Sequence, residues 1–105
     1  MVKPADRSRE GERLHKQSAN IRADSLRIQI MAVDAFCSVA EVQLRWYSLE
    51  EARTTAAKIR RAMSEIDFHL REPGHVSGPA AQELRDRYIK LSARVRQIEN
   101  SIHQT

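Results

Sequence analysis

"YSLEEARTTAAKI", residues 47–59, decides between two architectures, because it either opens a second helix or lies inside one very long helix. Ser48 followed three residues later by Glu51 is the reciprocal capping pattern of a helix start, and Glu50 and Glu51 place negative charge where the first turn of a helix favours it. Against a break, apolar residues recur every seven positions without a slip: Leu14, Ile21, Ile28, Ala35, Val42, Leu49, Ala56, Met63 and Leu70. Such continuity of phase is what an uninterrupted coiled-coil helix shows.

The surroundings are helical in either case. Gly and Pro number three each among 105 residues and fall at 4–11 and 73–79, so the chain from Glu12 to Glu72 holds no strong breaker. The composition, 41% hydrophobic and 30% charged, suits an all-α protein with a modest core and is too apolar for a disordered chain. Three helices are expected, at about 20–47, 49–71 and 79–103, preceded by a flexible polar arm over 1–17. The fold class is therefore all-α, an up-down-up three-helix bundle or, if Ser48 is no break, a long-helix hairpin. The "REPGHVSGP" stretch, 71–79, ends the second helix, with Gly74 suited to a left-handed C-cap and Pro79 to the first turn of the third.

The first helix carries two apolar rows at alternating spacings of three and four. One is Ile21, Ile28, Ala32, Ala35, Val39, Val42 and Trp46; the other is Leu26, Ile30, Val33, Cys37, Ala40, Leu44 and Tyr47. At about 100° per residue the rows lie roughly 160° apart, and only a narrower stripe of Asp24, Arg27, Asp34, Ser38, Glu41 and Arg45 is polar. The later helices have one seam each: Ala52, Ala56, Ile59, Met63, Ile66 and Leu70, then Leu84, Tyr88, Leu91, Val95, Ile98 and Ile102. They should pair with each other and cover one side of the first helix. The second row, with Tyr47 at its rim, is then the expected surface for a partner, either another copy in a homodimer or larger assembly or a different helical protein. Trp46 is expected to close one end of the core.

Chemistry-bearing constellations are weak. Cys37 is the sole cysteine, so neither an intrachain disulfide nor a cysteine zinc site is possible, and two copies of it would approach each other if the second row formed a twofold interface. His69 and His75 flank a turn six residues apart, where metal-binding pairs on a helix stand three or four apart. "FHLREPG", 68–74, resembles the phosphoacceptor box of sensor histidine kinases, but Leu70 and Arg71 follow His69 where that family places an acidic residue, and the proline and glycine end the helix. No enzyme activity, cofactor or metal is expected.

The net charge of +4 sits mainly at the N-terminus, where residues 1–27 carry seven basic and four acidic side chains. A small basic nucleic-acid-associated protein is the alternative reading, using that arm and the group Arg53, Arg60 and Arg61 as an anion-binding surface. Elsewhere basic residues stand four after acidic ones, as in Glu41 and Arg45, Asp67 and Arg71, Glu83 and Arg87, and Asp86 and Lys90, which points to self-paired solvated faces. The longest apolar run, "IMAV" at 30–33, cannot cross a bilayer, and the start lacks a signal peptide's apolar core, so a cytoplasmic protein without membrane association is expected.

Overall fold

The computed structural model describes residues 4–72, 76 and 78–104, as backbone alone over 4–20. Three helices follow one another: α1, Pro4–Arg45; α2, Leu49–Arg71; and α3, Gly78–Gln104. The chain is all-α, and no strand occurs among the described residues. None of the helices is long and apolar enough to cross a membrane, again among the described residues.

Helix α1 starts far earlier than the expected boundary near residue 20. Pro4 occupies its first turn, where a missing amide hydrogen costs nothing, and the single interior glycine, Gly11, weakens a helix by only about 1 kcal/mol. The expected flexible arm over 1–17 is thus helical from Pro4 onward. At 1.5 Å per residue α1 is roughly 63 Å long against about 35 Å for α2, so its first turns run beyond the other two helices, in keeping with a longest dimension of 69 Å.

The chain does break at Tyr47 and Ser48, which removes the long-helix hairpin. The device is a C-terminal one. The Ser48 amide donates to the Gln43 carbonyl (2.8 Å) and the Tyr47 amide to the Leu44 carbonyl (3.2 Å), with Tyr47 in the left-handed region at φ 60°. This is a Schellman motif with tyrosine where glycine is usual. Ser48 then stands at the N-cap of α2 with φ −86° and ψ 65°, and its hydroxyl makes no capping bond. The expected capping box is replaced because that backbone is held by the Gln43 carbonyl behind it, outside the extended geometry that aims a cap hydroxyl at the following amides. At the other end of α2 the Glu72 amide donates to the Phe68 carbonyl, and Gly78 opens α3 at φ 70°. The proposed C-cap Gly74 lies outside the described residues, as do Pro73, His75 and Ser77.

All three helices contact one another around one core. From α2 it takes Ala52, Ile59, Met63, Ile66 and Leu70, and from α3 Leu84, Leu91, Val95, Ile98 and Ile102, the two seams read from the sequence apart from the half-buried Ala56 and Tyr88. From α1 it takes Ala23, Leu26, Ile30, Val33, Cys37 and Ala40, with Leu44 half-buried beside them. The second row of α1 is therefore packed inside its own chain.

Replacing Tyr47 by glycine removes the left-handed penalty on an exposed side chain and is expected to raise the unfolding free energy by about 0.5–1 kcal/mol. Ser48→Ala should cost less than the ~1 kcal/mol of a bonded cap. Urea denaturation at one protein concentration checks both, and a destabilised Tyr47→Gly contradicts the assignment of the turn.

Candidate interaction surface

With the second row of α1 inside, the first row is outside. Ile21, Ile28 and Met31 are 62%, 67% and 64% exposed, Phe36, Val39 and Val42 between 42% and 46%, and Trp46 75%. Ala32 and Ala35 fill the gaps along the same stripe and are also exposed. Isolated exposed apolar side chains are ordinary, as Phe68 and Ile89 are here, but these share one side of one helix. Taking roughly 150–250 Å² for a whole large side chain, the seven leave on the order of 800 Å² uncovered, above the 300–600 Å² of the largest patch on a typical monomer.

The polar flank of α1 explains how the helix is held in this rotation. Arg94 of α3 lies across it, donating to the Asp34 carboxylate (2.5 Å) and carbonyl (3.1 Å), to the Ser38 hydroxyl (3.0 Å) and to the Glu41 carboxylate. The bond to Glu41 is the chief cause that pushes the Arg94 pKa further up, with partial burial opposing it and Asp34 adding to it. Lower on the same flank Arg27 pairs with Asp24 (2.5 Å) and Glu83 (3.5 Å). On the opposite flank the Thr55 hydroxyl donates to the Gln43 side-chain carbonyl (2.7 Å), joining the end of α1 to the start of α2 and satisfying the one polar side chain buried among the described residues.

The residues singled out in the sequence are redistributed accordingly. Leu26, Ile30, Val33, Cys37 and Ala40 are at most 6% exposed, and with Leu44 they face α2 and α3; of the expected partner surface only Tyr47, 90% exposed, remains outside. Both rows repeat at helical spacing, so periodicity alone could not choose between them. Trp46, expected to close the core, stands out from it instead, because it directly follows the end of α1 at Arg45 and continues the outer row of Ile28, Val39 and Val42. The close approach of two Cys37 thiols is excluded by the same burial, since Cys37 is fully covered by its own chain.

Arg53 and Arg60 line one groove between α2 and α3, with Glu99, Ile102 and His103, whereas Arg61 does not. Arg60 donates to Glu99 (2.7 Å), so the group expected to bind anions contains its own carboxylate. The pairs Asp67 with Arg71 and Glu83 with Arg87 form as expected, but Glu41 turns to Arg94 rather than Arg45, and Asp86 accepts from Gln82. Among the described residues no group of three or more His, Cys, Asp or Glu could hold a metal ion, and His75 lies outside them. His69 sits half-buried on α2, edge-on to Phe68 with ring centres 5.5 Å apart.

The sequence reading missed Arg94, whose partners on α1 lie more than fifty positions away; no local pattern marks it. No family model, curated protein or solved structure matches the chain.

Burial pushes the Cys37 thiol up from its ordinary 9.0, Arg94 pulls it down, and Asp34 and Glu41 push it up. A raised folded-state pKa adds stability that is present below about 9 and is lost as pH rises through the folded value. Cys37 is expected to resist a thiol reagent in the folded protein at pH 8 and to react fully in denaturant, with unfolding free energy declining above pH 9. Rapid labelling of the native protein contradicts its burial.

Proposed function

We propose that the protein is a non-enzymatic interaction or scaffolding module, an up-down-up three-helix bundle that self-associates through the outer face of α1 in coiled-coil fashion. The observation that supports this is the continuous stripe from Ile21 to Trp46, which offers about the 800 Å² that each partner contributes to a standard-size interface. The hairpin of α2 and α3 already occupies the opposite side of α1, so among the described residues nothing covers the stripe. Depletion of charge along it, with large aromatic and Met side chains at Trp46, Phe36 and Met31, has the composition of an interface core.

The nucleic-acid reading is not favoured by any comparable feature. Arg60 is engaged by Glu99, Arg94 by Asp34 and Glu41, and Arg27 by Asp24 and Glu83, so among the described side chains these cations are already paired with carboxylates rather than held for a phosphate backbone.

Two pairs of substitutions separate the faces of α1. Ile28→Glu with Val39→Glu should reduce the sedimenting species to one chain while helical circular dichroism is kept. Ile30→Glu with Leu44→Glu should instead unfold the protein, since burying uncompensated carboxylates costs several kcal/mol. An unchanged oligomer mass in the folded Ile28→Glu, Val39→Glu variant overturns the proposal.

A further inference from the structure

The outer stripe has an internal order that specifies its occupant. It follows a heptad in which Ile21, Ile28, Ala35 and Val42 form one set of seam positions and Ser25, Ala32, Val39 and Trp46 the other. We infer that the surface is occupied by α1 of a second copy running antiparallel, with Ala32 against the partner's Ala35 at the twofold axis. This rests on the reading of the outer face as a self-association surface and assigns its geometry.

In an antiparallel pair the two kinds of seam position meet each other, so Ile28 packs on the partner's Val39 and Ile21 on the partner's Trp46. The two alanine layers then fall together at the centre, where small side chains let the helix axes approach. The bulkiest side chain of the stripe is matched with an isoleucine at each end. In a parallel pair every layer would be self-paired, setting Trp46 on Trp46 and leaving the serine layer, Ser25, against itself.

Charge complementarity points the same way. The flanking positions on one side of the seam are Asp24, Met31, Ser38 and Arg45. Antiparallel alignment brings Asp24 of each chain opposite Arg45 of the other, giving two symmetric opposite-charge contacts with uncharged residues between them. Both side chains are available for this: Asp24 is 69% exposed even while it pairs with Arg27, and Arg45 is exposed. The basic excess of residues 1–27 is also placed at opposite ends of the dimer, where parallel alignment would hold the two arms side by side.

Cysteine pairing tests the register. Ile28→Cys and Val39→Cys chains are mixed in a glutathione redox buffer, beside wild type, whose only thiol is the buried Cys37. The 28-to-39 disulfide between chains should exceed either self-paired product at least tenfold, because two copies of position 28 stand roughly 16 Å apart along the axis, beyond disulfide reach. As a second readout, Asp24→Arg or Arg45→Asp alone should weaken the low-salt dimer roughly three- to ten-fold, and the two together should restore it. A dominant 28-to-28 disulfide, or a double charge exchange that fails to restore affinity, overturns the antiparallel register and leaves self-association standing. A monomeric wild type overturns both.

Discussion

A helix can turn only one side toward an antiparallel pair of helices, and α1 is apolar on two. That constraint organises the molecule. Helices α2 and α3 have one seam each, enough to bury Leu26, Ile30, Val33, Cys37 and Ala40 but not the side that carries Ile28, Val39 and Trp46. The stripe left in solvent is not a scatter of tolerated apolar residues but the second half of a pattern whose first half is the core.

The side of α1 that is taken also carries contacts distant in sequence. Arg94 binds three residues of the polar flank of α1, and Arg27 reaches Glu83, so α3 is set against that flank along much of its length. Individually such exposed pairs contribute little. Their part is positional: they span the polar flank in the rotation of α1 that places Cys37 and Ala40 in the core shared with Ala52 and leaves Trp46 exposed.

Helix content, the seams of α2 and α3 and the break before Leu49 were all legible in the residues, because each rests on local spacing or a local breaker. The two rows of α1 were legible as rows, but their roles were not, since a helical period is blind to which of two equivalent faces meets a partner. The corner shows a subtler failure. Ser48 and Glu51 mark the right place for the wrong reason, because the turn is closed by the Gln43 and Leu44 carbonyls and a left-handed Tyr47, a conformation that sequence rules assign to glycine. The seven-residue continuity across Val42, Leu49 and Ala56 survives a change of helix axis, so phase alone does not establish one rod. At the N-terminus polarity suggested a flexible arm, yet the helix runs from Pro4 through Gly11 without a break.

The most direct measurement is the mass of the wild-type protein in solution, by light scattering coupled to size exclusion over a range of protein concentrations at low and high salt. A two-chain mass that falls on dilution and changes little with salt is expected of an interface made chiefly by apolar side chains from Ile21 to Trp46 with two charge contacts at its ends. A one-chain mass at every concentration contradicts self-association through α1.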